Sequence, residues 1–157
     1  MTDAWNEARN AALPPRVDGS EIADHQLVKS RTDPEEVGVK YVQSMVMPVP
    51  KKKLDDYRRT NRKFGKLYLE YGALEFADCV GDDIEPGELT SFPQSVALKR
   101  TETVVLSWIV FKSRAHRDKV LPKVMGDPRA KKLMNKKDMP IDGKRMFWGG
   151  FEVMTKL

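Results

Sequence analysis

The chain has 157 residues, 28 basic against 23 acidic, for a formal net charge of +5, with 40% hydrophobic and 32% charged residues. One domain with a real core is the expectation at this length. No apolar run approaches the roughly 20 residues of a membrane span, and residues 1–30 hold no secretory apolar stretch. A single cysteine, Cys79, excludes an intramolecular disulfide framework and fits a cytoplasmic, reducing compartment. Two histidines and one cysteine leave no zinc-ligand pattern, so neither metal nor cofactor is expected.

The charge is unevenly spread. Residues 1–38 hold four basic and eight acidic residues, a formal −4, which leaves +9 for residues 39–157. The same stretch is punctuated by Pro14-Pro15, Asp18-Gly19-Ser20 and Thr32-Asp33-Pro34. It reads as an acidic, partly disordered extension with two short helical pieces and Trp5 as its anchor. Residues 39–157 read as the folded domain.

Val39 to Val49 is short and β-rich, closed by Pro48-Val49-Pro50, and is expected to be a strand. Lys51 to Tyr71 carries helical periodicity. At about 100° per residue, Leu54, Tyr57, Phe64, Leu67, Tyr68 and Tyr71 share one arc, and Arg58, Arg59, Arg62, Lys63 and Lys66 share another. Gly72 is placed to end this helix. Leu74 to Val80 alternates as a second strand, closed by the acidic turn Gly81 to Gly87, and Ser91-Phe92-Pro93-Gln94 continues as loop or short edge piece. Thr103 to Phe111 is the most hydrophobic run and reads as a strand covered on both faces. Ser113 caps a helix to about Met125, and Asp127-Pro128 opens a shorter one through Met134. Asp142-Gly143 makes a tight turn before a last strand from Arg145 to Met154, in which Gly149-Gly150 signals a bulge or a close backbone approach.

The order β-α-β-β-α-β predicts an α+β, ferredoxin-like domain, with two helices over one face of a four-stranded antiparallel sheet. The other face keeps apolar residues from Val104–Phe111 and Met146–Val153. A homodimer packed sheet to sheet would cover them.

Several segments also resemble one known family. They are Pro48-Val49-Pro50-Lys51-Lys52, Gly72-Ala73-Leu74-Glu75, Cys79-Val80 with Asp82-Asp83, Thr90-Ser91-Phe92-Pro93 and Ser107-Trp108-Ile109. Ser113-Arg114-Ala115-His116-Arg117-Asp118, Val124-Met125, Asp127-Pro128-Arg129, Met139-Pro140, Asp142 to Met146 and Gly149-Gly150-Phe151 follow in register. Over about residues 41–154 the chain resembles the YbaA-like bacterial family, domain of unknown function 1428. The resemblance implies a ferredoxin-like chain of the dimeric α/β-barrel type and supplies no mechanism. Residues 1–38 lie outside it. Pro122 departs from the helix former expected there and predicts a kinked or shortened second helix.

His116, the only histidine after residue 38, falls in the first turn of the helix capped by Ser113, where a helix N-terminus favours the neutral, basic imidazole. It is the candidate catalytic residue. Lys112, Arg114 and Arg117 flank it and suit an anionic ligand. Trp108 and Trp148 suit a flat apolar ligand, or else core or dimer-interface packing. Ser91 and Phe92 lie in a loop, where binding residues concentrate. Together these define a pocket between sheet and helices for a small anionic or aromatic molecule, in a metal-free enzyme or binder. Asp82, Asp83 and Glu85 read as a solvated acidic turn, since calcium-loop spacing is absent. Cys79 reads as a buried, inert thiol.

The basic set offers an alternative. Lys51–Lys53, the stripe Arg58/Arg59/Arg62/Lys63/Lys66 and Arg129/Lys131/Lys132/Lys136/Lys137 suit RNA or another polyanion, or simply a solvated helix face. The aromatic pattern of an RNA-recognition motif is absent from the strands. A structural or regulatory homodimer without catalysis is the third reading.

Overall fold

The computed structural model describes residues 41–134 and 140–156. The acidic stretch 1–38 with Trp5 lies outside the described residues, as do Val39, Lys136, Lys137 and Met139. In chain order the elements are β1 (Tyr41–Pro50), a 3-10 turn (Lys51–Lys53), α1 (Leu54–Glu70), β2 (Glu75–Val80), α2 (Phe92–Ser95), β3 (Glu102–Phe111), α3 (Arg114–Gly126), α4 (Pro128–Met134) and β4 (Phe147–Glu152). The four strands form one antiparallel sheet in the order β2-β3-β1-β4. This is the ferredoxin-like α+β arrangement, with α2 and α4 added to its connections.

Pairing fixes the two faces. Tyr41 stands opposite Phe111 and Glu152, and Met45 opposite Ser107 and Trp148. Because strand side chains alternate, Tyr41, Gln43, Met45, Met47 and Val49 share a face with Val105, Ser107, Ile109 and Phe111. Helices cover this face. Phe64, Leu67 and Tyr68 of α1, Val120 and Val124 of α3, and Ala130 and Leu133 of α4 join Tyr41, Ile109 and Phe111 in one buried cluster. Gly65 lets α1 sit close to β2, since a β-carbon there would meet the Phe76 ring at 2.6 Å. Gly72 ends the helix as expected, at φ +105°, where L side chains are strained.

The second face carries Val42, Ser44, Val46, Val104, Leu106, Trp108, Val110, Phe147 and Phe151. It is covered unevenly, with Val104 and Val110 buried and Phe147 and Phe151 exposed. Val96, Ile84 and Leu98, from the long β2–β3 connection, pack on Val46, Val104 and Leu106. Along the β4 edge Phe147, opposite Val46, and Phe151, opposite Val42, are 44% and 59% exposed.

Prolines are tolerated where one neighbour is missing. β4 stops opposite Val46, so at Pro48 and Pro50 strand β1 has only β3 beside it.

Three expectations are corrected. Phe92–Ser95 is a short helix rather than loop or edge strand, because Ser91 caps it: its Oγ accepts the Gln94 N–H at 3.3 Å, with Pro93 in the first turn. Cys79 is exposed, not buried, because β2 is an edge strand and its side chain points to the less covered face. Pro122 does not shorten α3, which runs to Gly126. Proline leaves the Asp118 carbonyl without its helical N–H, and this position is exposed, where solvent can reach the carbonyl.

Pro122→Ala restores that hydrogen bond at a solvent-facing site. It is expected to raise stability by about 1–3 kcal/mol in urea unfolding, with an unchanged m-value.

Candidate functional site

β3 ends at Phe111, and two residues later the chain turns into α3. Ser113 is extended and its Oγ accepts the His116 N–H at 3.1 Å. The amides of Arg114 and Ala115 therefore open the helix without an intrahelical acceptor. An open cleft of about 450 Å³ lies against this turn, lined by Tyr41, Ser113, Arg114, Ala115, Gly150 and Glu152. Its floor is the join of β1 and β4, where Tyr41 faces Glu152 and Gln43 faces Gly150. Gly150 has a specific reason to be glycine. A β-carbon there would collide with the Tyr41 hydroxyl, so the Tyr41 ring lies directly over the β4 backbone.

Arg117 stands beneath the cleft with its side chain only 13% exposed. Its Nη1 donates to Gln43 Oε1 at 2.8 Å and its Nη2 to Tyr41 Oη at 3.3 Å, and its guanidinium carbon lies 5.2 Å from the Tyr41 ring centroid. Asp118 Oδ1 is 2.7 Å from Nε but out of line with the N–H bond, so Nε is buried without a hydrogen-bond acceptor. The cation is thus held mainly by neutral acceptors and an aromatic face, with one partly exposed carboxylate beside it.

The expected pocket residues are not brought together. Arg114 lines the cleft, and Arg117 orders its Tyr41 wall. His116 does not line it. Its Nδ1 accepts the Lys112 N–H at 3.2 Å, its ring stands edge-on to Phe111, and its Nε2 lies toward Gly72 after α1. An imidazole whose Nδ1 accepts from the backbone carries its proton on Nε2, so His116 serves here as a capping acceptor at the strand–helix junction. Lys112 enters through its backbone N–H. Trp108 and Trp148 lie on opposite faces of the sheet, because Trp148 is in register with Met45 and Trp108 with Ser44. Trp108 Nε1 donates to Glu75 Oε1 at 2.9 Å on the less covered face. Ser91 and Phe92 belong to the connection that packs over the Val104 end of that same face, while the cleft lies at the Phe111 end of β3. Tyr41, Gln43, Gly150 and Glu152 were not singled out from sequence. The only local sign of them was Gly149-Gly150.

A second polar cluster was also not foreseen. Tyr57 of α1 and Ser107 of β3 are buried and meet Asp78 at the edge of β2. Tyr57 Oη donates to Asp78 Oδ1 at 3.1 Å, the Ser107 hydroxyl donates to the same oxygen, and Asn61 Nδ2 reaches both Asp78 oxygens at 2.7 Å. Burial pushes the Tyr57 phenol far above its ordinary range, with the Asp78 charge acting in the same direction. Every group finds a partner, so the cluster ties α1 to β2 and β3.

Two ion-pair groups fasten the connections. Arg145 clamps Glu102 with two nitrogens, at 2.7 and 2.8 Å, and reaches Asp142 at 2.7 Å. Arg129 binds Asp127 at 2.8 Å and Glu70 at 2.9 Å, and Tyr71 donates to Asp127 at 3.0 Å. Among the described residues, no group of three or more His, Cys, Asp and Glu side chains is placed to hold a metal ion, and no helix is long and apolar enough to cross a membrane.

A family model described as a protein of unknown function, DUF1428, matches residues 40–143. The uncharacterized protein YbaA of Escherichia coli (strain K12) is 42% identical over 114 residues, which cover 73% of this chain and 96% of that protein, and YbaA of Shigella flexneri matches to the same extent. Among solved structures, a nipsnap family protein with unknown function from Agrobacterium tumefaciens str. C58 is 11% identical, with a TM-score of 0.48 over 73% of this chain and 88% of that one. A putative antibiotic biosynthesis monooxygenase from Nitrosomonas europaea is also 11% identical, with a TM-score of 0.46 over 74% and 92% of the two chains.

The ion-pair groups give the fold an acid limit. Hydrogen bonding to Arg145 lowers the Glu102 carboxyl to about 2, and hydrogen bonding to Arg129 lowers Asp127 to about 2. Both are more acidic folded than unfolded. Their stabilisation is therefore full above the ordinary carboxylate range and is lost as pH falls from about 5 toward 2. Thermal melts over that interval should show the midpoint falling, and Glu102→Gln should be less stable near neutrality but fall less steeply with acid.

Proposed function

The chain belongs to the DUF1428 family, and we propose that it binds a small anionic molecule in the cleft at the start of α3. The observation that carries this reading is Arg117. A guanidinium held under the cleft on two neutral acceptors keeps part of its positive field at the cleft floor, because the Asp118 carboxylate 2.7 Å from its Nε is more than half exposed and screened by solvent. Arg114 and the two open amides of the first helical turn supply donors at its wall. Tyr41 adds a flat aromatic surface with a polar tip, so a small carboxylate on an aromatic or planar frame fits best. Glu152, beside Tyr41 in the lining, adds a negative charge that disfavours ligands of high negative charge and favours a monoanion. A reducing cytosol suits the exposed free thiol of Cys79. His116 faces away from the cleft, so the reading supported here is binding by Arg114 and the helix amides, with no catalytic role for that histidine.

Benzoate and inorganic phosphate are the probes. Titration followed by amide NMR should give saturable shifts at Arg114 and Ala115, with benzoate the tighter of the two. Arg114→Ala should weaken binding about tenfold or more, the loss of one charge-assisted hydrogen bond. Absence of saturable shifts, or shifts indifferent to Arg114→Ala, would overturn the assignment.

The partly covered sheet face supports a second, compatible reading. Trp108, Phe147 and Phe151 lie on it, and a second copy packed face to face would bury them as a dimeric α/β barrel. Light scattering at micromolar concentration should report a dimer, and Phe151→Lys a monomer. A wild-type monomer would remove this reading and leave the cleft untouched.

A further inference from the structure

We propose that the outer face of α1 docks the phosphodiester backbone of a nucleic acid, without reading its sequence. The helix separates its faces cleanly. Tyr57, Phe64, Leu67 and Tyr68 are buried against the sheet, while Arg58, Arg59, Arg62, Lys63 and Lys66 are exposed. Ion pairing then divides the exposed cations. At the N-terminal end Lys53 and Arg59 share Asp56, and Arg58 stands 3.5 Å from Asp55. Arg62, Lys63 and Lys66 have no carboxylate within ion-pair distance among the described residues. With Arg59 they occupy an arc of about 100° and a rise of about 10 Å, a continuous cationic strip two turns long. The neighbouring α4, which packs beside α1, adds exposed Lys131 and Lys132.

The chemistry of this strip selects its partner. Protein interfaces need apolar or aromatic anchors at their centre. On the exposed side of α1 only Leu69 is apolar, and it lies beyond the strip toward the C-terminus. Insertion into a membrane needs the apolar face of the helix, and that face is the core of the fold. A phosphodiester backbone needs only closely spaced, flexible cations. The aromatic residues that alternate with them in sequence, Phe64 and Tyr68, are buried in the core and cannot stack on bases, so recognition stops at the backbone. This surface is separate from the cleft and stands or falls without it.

The test uses the full 157-residue chain and a fluorescently labelled mixed-sequence 20-base-pair DNA duplex, read by anisotropy. Four phosphate contacts imply a slope of log K against log salt of about −3.5, or roughly a hundredfold loss between 50 and 200 mM. The triple variant Arg62→Glu/Lys63→Glu/Lys66→Glu should weaken binding at least about tenfold and flatten the slope toward about −1. Arg100→Glu/Lys123→Glu/Lys156→Glu makes the same change in net charge at exposed positions before β3, on α3 and in the C-terminal segment, and should weaken binding far less. Unchanged melting temperatures confirm that both variants fold, as expected for exposed positions. Equal losses in the two variants, or a slope indifferent to the α1 changes, would overturn the proposal. So would binding to phosphatidylserine vesicles with none to the duplex.

Discussion

The antiparallel pairing of β1 with β3, from Tyr41 opposite Phe111 to Pro50 opposite Glu102, decides the side on which every residue of interest stands. Side chains alternate with a period of two, so a slip of one residue would exchange the faces. A slip of β1 would take Tyr41 and Gln43 from the helices and drive Val42 under them, and a slip of β3 would likewise exchange Phe111 for Trp108 and Val110. Burial blocks that slip. Val105, Ile109 and Phe111 on the helix side are essentially inaccessible, and on the other side Val104 is held by Val96. The same register brings the start of β1 beside the end of β4, which builds the cleft floor from residues more than a hundred positions apart.

Arg117 connects that register to the helices. A buried guanidinium is costly unless its donors are met, and it finds them on β1, at Gln43 and Tyr41. The α3 residue therefore fixes the rotation of the helix over the sheet as well as the wall of the cleft. Tyr41 is held in turn from below, because only glycine at position 150 leaves room for its hydroxyl. Asp78 has the corresponding role at the opposite edge, where Tyr57, Asn61 and Ser107 converge on it and tie α1 to β2 and β3. The sheet is thus clasped to its helices by one polar cluster on each side of the apolar core.

These clasps explain what could be read in the sequence. Element order, the stop at Gly72, and the caps at Ser113 and Asp127 were legible because each is set by residues within one or two turns. The basic strip was legible for the same reason, since helical periodicity alone separates Arg62, Lys63 and Lys66 from Phe64 and Leu67. The cleft was not. Arg114 and Arg117 could be named from the capped helix, but Tyr41, Gln43 and Gly150 meet Arg117 only through register, and none of the three carries a local signal beyond the double glycine. Proximity in sequence was misleading for His116, which sits between Arg114 and Arg117 yet turns back to the Lys112 amide. It was misleading again for the two tryptophans, where the parity of the pairing, not their shared chemistry, put them on opposite faces.

The two cationic features also differ in the physics that governs them. Arg62, Lys63 and Lys66 are exposed, so dissolved salt screens them over about 8–10 Å and their attraction for polyanions weakens steeply as ionic strength rises. Arg117 is largely desolvated, and its field in the cleft is screened much less. A small monoanion displaces few counterions, so its binding in the cleft should change little over the same salt range. Salt dependence therefore separates the two surfaces without any substitution. A ligand that binds with a steep salt slope belongs on α1, and one that binds with a shallow slope belongs in the cleft.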